Sequence, residues 1–514
     1  MTRLAETAQD NRAIVIGAGL GGLAAAMRLG AKGYHVTVLD KLDRTGGRGS
    51  SITQNGHRFD LGPTIVTMPQ VFEKLWAECA GDFHADVDLR PIEPFYEVRW
   101  PDGSTFRASS DDDKMLAEVA RLSPSDVAGF KQFLKDARTR YIVGYEGIVA
   151  KPMHKLWETV KVLPMFAWLR ADRSIYGLVS RRIKDARLRM ALSFHPLFIG
   201  GDPTHVTSIY ALVAHLEKTH GVHYAVGGVQ AIADAMAAVV RRQGGEIVHN
   251  CVVDEILVQD GAVQGVQLVD GQQRTAPLIV SNADAGYTYS QLLRRHTKRR
   301  WTASKLARQR WSMGLYVWYF GTKDTQGKWA DVGHHTIANG PRFKGLLHDI
   351  FAKGKLADDM SLYIHRPALS DPTVAPDRDD TFYVLSPVPH LGWKNAVDWT
   401  LEEPLYRAKV AAEVEKILPG FQDHIVTETV FTPETFRDRY LSPHGCGFSI
   451  EPRILQSAWF RPHNVSEEVR GLYLVGAGTH PGAGLPGVVS SAEVVANLVP
   501  DMPASAEQTR LAAE

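Results

Sequence analysis

The chain has little cysteine, no surplus of either charge and no long apolar run suited to a bilayer, and each shortage removes a class of protein. Its three cysteines, Cys79, Cys251 and Cys446, stand far apart in 514 residues. Their spacing fits neither a disulfide framework nor a metal-ligand set, so a reducing compartment and no metal site are expected. Lysine and arginine number 58 against 57 acidic residues, a net charge of +1. No global field draws such a chain to nucleic acid. The charge-free stretch 471–492 is long enough for a bilayer, but its glycines and prolines make a poor transmembrane helix. No apolar leader precedes the first strand-like run at residue 13, and a cytoplasmic location is expected. The ends, 1–11 and 502–514, are polar or alanine-rich and expected to fray. The length predicts two or three domains.

Glycine is plentiful, and near the N-terminus it is ordered. The apolar run 13–16 suits a buried parallel strand, and Gly17, Gly19 and Gly22 follow at G-x-G-x-x-G spacing. Gly17 permits the tight turn, Gly19 lets a pyrophosphate approach the backbone, and Gly22 lets the next helix lie close on the strand. That helix is predicted over 20–32, with its N-terminal amides favouring negative charge. Such a motif alone is a weak signal. A second apolar strand, 36–39, supplies context by ending in Asp40, at about the 20-residue separation of a carboxylate that holds a ribose hydroxyl. The stretch reads as a dinucleotide site.

Two further pieces extend it. Thr45-Gly46-Gly47-Arg48-Gly49-Ser50 and Phe59-Asp60-Leu61-Gly62-Pro63-Thr64 suit a longer cofactor, with Arg48 placed to neutralise a phosphate. After Gly221 comes a helical run, 229–243, then β-prone runs at 246–249, 252–258, 263–268 and 278–280. Asp260-Gly261 and Asp270-Gly271 turns divide them, and the pattern resembles a hairpin returning to the nucleotide sheet. Nearly 200 residues later a strand at 472–475 enters the turn Gly476-Ala477-Gly478-Thr479, and a helix at 489–498 follows. A helix starting near Gly487 would aim its amides at the carbonyl edge of a reduced flavin.

Together these pieces resemble the flavoproteins that include the amine oxidases, and more closely the bacterial phytoene desaturases of carotenoid synthesis, those of purple phototrophic bacteria above all. The likeness runs over nearly the whole chain, through Ser193-Phe194-His195-Pro196-Leu197, Ser281-Asn282-Ala283-Asp284, Gln456-Ser457-Ala458-Trp459-Phe460-Arg461 and Leu474-Val475-Gly476-Ala477-Gly478-Thr479-His480-Pro481-Gly482. It implies an α/β fold: a Rossmann-like FAD-binding domain of the amine oxidase/glutathione reductase type built from segments 1–84, 221–285 and 465–502. It also implies a mixed-sheet substrate domain from 85–140 and 286–464, and a helical, membrane-associating region at 141–220. By the same likeness FAD is bound non-covalently, with Gly17, Gly19 and Gly22 at the pyrophosphate, Asp40 at the adenosine ribose and Arg48 near the phosphates. Val253 would meet the adenine, and Gly476, Ala477, Gly487 and Val488 would line the ribityl chain and flavin. Many flavoproteins of the wider group carry an acidic residue where Ala477 stands, which would leave ribityl binding there to backbone amides.

The implied reaction is stepwise desaturation of 15-cis-phytoene through phytofluene and zeta-carotene to neurosporene, or by a fourth step to lycopene, with oxygen or a quinone as electron acceptor. The alternatives are a desaturase of hydroxylated or methoxylated carotenoids, an amine oxidase, or a flavin-containing scaffold that hands precursors on. Hydride removal needs an acceptor that no side chain provides and a flavin does. His195, His365, Asp284 and Arg366 are polar residues in motif-like stretches, but no catalytic residue is assigned. Trp157, Val160, Leu163, Phe166, Trp168 and Leu169, interleaved with Lys155, Lys161 and Arg170, have the composition of an interfacial helix broken at Pro164. They make a lipid surface, at the inner membrane, the expected partner beside the carotenoids. The basic run 294–301 is read either as a lipid contact or as a solvated face.

Overall fold

The computed structural model describes residues 10–502; residues 1–9 and 503–514 lie outside the described residues. A parallel five-stranded sheet has the order Leu472–Leu474, Leu278–Ser281, Arg12–Ile16, His35–Leu39, Glu246–Val248. Alternation along these strands sends side chains to opposite faces. Ala13, Val15, Val36 and Val38 bury against the helices Leu20–Ala31, Gly228–Arg242 and Leu485–Leu498. Ile14, Ile16, Leu39 and Ile279 bury on the other side.

That other side is covered by a feature that differs from expectation. The hairpin Val253–Gln259 and Ala262–Leu268 does not join the nucleotide sheet; with Gln273–Thr275 it forms its own antiparallel sheet. Val253, Ile256, Val263 and Val266 face the nucleotide sheet and need their own pairing partners to do so. The turn Asp260-Gly261, with both φ values positive, fits the two-residue hairpin geometry. Strand Leu278–Ser281 then returns to the parallel sheet.

A seven-stranded mixed sheet stands opposite, in the order Ile425–Phe431, Gly314–Thr322, Asp380–Val388, Leu362–His365, His335–Ala338, Tyr96–Arg99, Thr105–Ala108. Its faces alternate as well. Tyr316, Trp318, Phe320 and Val384 bury against helix Trp399–Glu415, whereas Leu315, Tyr319, Tyr363 and Tyr383 face the molecule's interior. Buried Asp371, between two strands of this sheet, accepts from Arg58 of the hairpin strand His57–Asp60 at 2.6 Å and from the amide of Gly227, the N-cap of helix Gly228–Arg242, at 2.8 Å.

Helix boundaries bring three corrections. Helix Leu485–Leu498 begins two residues before Gly487, with Gly484 as its N-cap. Helix Leu156–Trp168 runs through Pro164 instead of breaking there. One lost i to i−4 bond is tolerated because the ring is exposed, as is Val160, whose carbonyl is freed. Leu169, expected on the interfacial face, is buried. At the C-terminal end Met502 is held by its amide on the Lys32 carbonyl at 2.9 Å.

Candidate functional site

One cavity of about 1070 Å³ lies between the two sheets. This is at the top of the range for small-molecule sites, roughly 300–1,000 Å³, and suits a large cofactor with a second ligand. Gly17, Gly19, Asp40, Arg48, Val253, Gly476, Ala477, Gly487 and Val488 all line it. Gly22 does not; a Cβ there would fall 2.0 Å from the Gly17 carbonyl oxygen, so it serves helix-on-strand contact.

Each wall piece follows from a local rule. Helix Leu20–Ala31 starts at the N-cap Gly19, and helix Leu485–Leu498 at Gly484; neither has a side-chain cap among the described residues. Their first-turn amides, apart from Pro486, which has none, are therefore available to an anionic or electron-rich ligand. Asp40 closes strand His35–Leu39, and its carboxylate accepts from the amides of Ala18 at 2.5 Å and Leu42 at 2.7 Å. Burial pushes its pKa up, against the pull of those two amides. Arg48 donates to Ser442 Oγ, and its Nε is buried with no partner among the described residues. A phosphate oxygen is what such a nitrogen lacks. The glycine cradle, two uncapped helix ends and this orphaned cation fit a dinucleotide.

Asn282 was quoted in a motif but given no role, and the structure makes it central. It follows strand Leu278–Ser281 and lies between the first and third glycine turns. Cβ atoms on Gly19, Gly21 or Gly476 would come within 2.7–2.8 Å of its amide atoms. The signal available in sequence was its place at the end of a parallel strand, where open α/β sheets bind ligands. In the third turn the Gly476 amide donates to Ser491 Oγ at 2.8 Å, and the Ala477 carbonyl accepts from buried Arg461 at 2.7 Å. What Gly476 offers the cavity is open surface at φ +96°, not its N–H. Arg439, Tyr440 and Leu441 also line the cavity and were not foreseen.

The remaining wall is apolar and aromatic, including Leu197, Phe198, Leu315, Ile337 and Tyr383. Thr64 and Tyr363 join across it through hydroxyls 2.6 Å apart. His195 and Glu217 interrupt it: His195 Nε2 lies 3.0 Å from Tyr96 Oη and 3.2 Å from Glu217 Oε2. Glu217 carried no sequence signal. Asp284 lines the cavity and caps a short helical turn through the Gly286 amide. Arg366 is buried away from it, paired with Asp380 at 2.7 Å.

The fold and cavity are those of a flavin-dependent α/β oxidoreductase in which the glycine cradle opens into an apolar chamber, and FAD is its cofactor. Residues 20–500 match the family model of flavin containing amine oxidoreductases. The chain is 64% identical to a neurosporene-forming phytoene desaturase of Cereibacter sphaeroides, over 100% of both chains. It is 65% identical to that of Rhodobacter capsulatus, over 96% of this chain and 94% of the other. A lycopene-forming phytoene desaturase of a Paracoccus species is 41% identical, over 95% and 97%. Among solved structures, an oxidoreductase from Methanosarcina mazei superposes with a TM-score of 0.64 at 17% identity, covering 95% of this chain and all of the other. The chain belongs to the flavin containing amine oxidoreductases, in the branch formed by the phytoene desaturases.

Proposed function

We propose that this protein desaturates 15-cis-phytoene in successive steps, through phytofluene and zeta-carotene, to neurosporene. The observation that carries the reading is a large, mostly apolar cavity that shares its wall with the dinucleotide cradle. Both relatives above 60% identity form neurosporene and the 41% relative forms lycopene, which favours a three-step course. The mostly apolar wall favours a hydrocarbon over a cationic amine or a hydroxylated carotenoid, since its few polar groups, His195 with Glu217, Thr64 with Tyr363 and Asp284, are already engaged within the protein.

When bound, FAD supplies the hydride acceptor that desaturation of a C–C bond requires. The chain's own residues place and shield. Gly17 and Gly19, with the amides of helix Leu20–Ala31, would hold the pyrophosphate, Arg48 the neighbouring phosphate charge, Asp40 the adenosine ribose and Val253 the adenine. Gly476, Ala477, Gly487 and Val488 would line the ribityl chain and ring. Segments 1–84, 221–285 and 465–502 supply these groups, and 85–140 with 286–464 the substrate sheet. Phe198, Leu315 and Tyr383 exclude water and orient the polyene. Oxygen or a quinone would take the electrons onward.

The substrate route is inferred from exposure. No helix among the described residues is long and apolar enough to cross a membrane. Helix Leu156–Trp168 nevertheless exposes Trp157 at 62% and Trp168 at 70%, and touches the turn Ala458–Phe460, beside which Leu455 is 71% exposed. Leu163 and Phe166 of this helix and Phe460 also line the cavity. An apolar patch at the mouth of an apolar cavity suits uptake from the inner-membrane surface. The basic run 294–301 is engaged within the protein instead: Arg294, Arg295 and Arg300 pair with Asp254, Glu255 and Glu467, and Trp301 is buried.

Anaerobic incubation of the FAD-loaded protein with phytoene in liposomes tests the reading. Flavin bleaching together with new polyene absorption bands is expected, the end product giving the step count. An unbleached flavin after proven substrate delivery would overturn it.

A further inference from the structure

Outside the cavity, three histidines converge in the interior. His335 and His365 sit directly opposite each other on the antiparallel strands His335–Ala338 and Leu362–His365, and His334 precedes the first. Ring centroids are 4.4 Å apart for His334 and His335, 4.8 Å for His334 and His365, and 5.2 Å for His335 and His365. All three are at least 94% buried, with exposures of 6%, 1% and 1%. One ring nitrogen from each lies within 4.8 Å of those of the other two.

The hydrogen bonds leave the inner nitrogens free. His335 Nδ1 lies 2.9 Å from the Phe95 carbonyl, which can only accept. The proton is therefore on Nδ1, and Nε2 presents a lone pair. Ser370 Oγ engages His334 Nδ1 at 2.7 Å. Among the described residues His334 Nε2, His335 Nε2 and both nitrogens of His365 have no hydrogen-bond partner, and neither does Oδ1 of buried Asp60. The other Asp60 oxygen is 3.9 Å from His365 Nε2.

Leaving several buried polar atoms unmade costs about 1–3 kcal/mol each, so something is expected to satisfy them. Metal-ligating histidines have this arrangement: the outer nitrogen anchored on a carbonyl or hydroxyl, the inner lone pair directed at the ion. Three imidazoles suit a borderline first-row ion and not calcium or magnesium, which take oxygen ligands. We propose that His334, His335 and His365 bind a divalent transition ion of the zinc type, the fourth position being left to water or to the Asp60 carboxylate beside His365. A tetrahedral sphere at bond lengths of about 2.0–2.1 Å has edges of about 3.3 Å, so binding draws the rings inward by about an ångström. Asp60 immediately precedes Leu61-Gly62-Pro63-Thr64, of which Gly62, Pro63 and Thr64 line the cavity. An ion held by the three rings therefore sits close to the loop beside the cofactor cradle.

The test uses untagged, FAD-loaded full-length protein equilibrated at about 1 µM free Zn²⁺, with loose ion removed before elemental analysis. About one zinc per chain is expected, with X-ray absorption at the zinc edge showing about three imidazoles in the first shell. The double substitution His334→Gln and His365→Gln should weaken zinc retention about tenfold or more while FAD content and circular dichroism stay unchanged. Wild-type protein that retains no zinc, or a shell with fewer than two imidazoles, overturns the proposal. The absorption measurement on wild type decides even if the double variant fails to fold. Zinc retention unaffected in a folded double variant also overturns it.

Discussion

At the scale of single residues, neighbouring glycines and one carboxylate do separable things. A Cβ on Gly22 meets the Gly17 carbonyl oxygen at 2.0 Å, and backbone cannot move aside cheaply. Gly22→Ala is expected to destabilise the protein by about 3 kcal/mol, read as a lower denaturation midpoint. A Cβ on Gly19 meets only the Asn282 side-chain amide, at 2.8 Å, which can rotate. Gly19→Ala should leave the midpoint nearly unchanged and lower FAD retention. Asp40→Ala removes an acceptor shared by the Ala18 and Leu42 amides as well as the proposed ribose contact. About tenfold weaker FAD retention is expected, since hydrogen bonds to a charged group contribute about 1.5–3 kcal/mol. An unchanged ratio of flavin to protein absorbance would remove Asp40 from the cofactor site.

At the scale of elements, helix Leu156–Trp168 has little reason to be stable alone. Leu156, Trp157, Val160, Leu163 and Trp168 are all at least 40% exposed, while Thr159 is buried against the body of the protein. A large apolar side chain moved from water to lipid gains about 1.5–3 kcal/mol. The triple variant Trp157→Glu, Leu163→Glu, Trp168→Glu should therefore lose liposome binding by about a hundredfold or more in flotation, with FAD content retained. Undiminished flotation would count against this helix as a lipid-binding element. Helix Trp399–Glu415 is the contrasting case. It also carries an internal proline, Pro404, but buries Trp399, Tyr406, Val410 and Val414 on the outer face of the substrate sheet, so its role is support.

At the scale of the whole molecule, acid stability follows from histidines buried in neutral form. Burial lowers His463 and His480 to about 4, below the usual value of 6.5. Below pH 6.5 the unfolded chain binds these protons and the folded chain does not, so stability present above pH 6.5 is lost as pH falls toward 4. The urea midpoint should fall across that window, by about 1–3 kcal/mol of stability for each group. A midpoint that stays flat down to pH 4 would mean that these rings are charged in the native state. His480 also lines the cavity, so FAD release is expected to track the same window.

What the sequence determined by itself is local. Strand runs, glycine turns, Asp40 at a strand end and the third turn at Gly476 were legible because backbone conformation and short-range spacing dictate them. The turn Asp260-Gly261 was legible for the same reason, but the sheet its hairpin joins was not, because pairing partners are chosen by burial of the opposite face. Pro164 misled for a similar cause: local propensity ends a helix there, and tertiary exposure of the freed carbonyl lets it continue. Asn282 at the junction of two glycine turns, Glu217 in an apolar wall and the convergence of His334, His335 and His365 came only from tertiary structure. Those groups are up to some hundreds of positions apart, and no spacing rule reaches across a sheet whose strand order is set by the whole core.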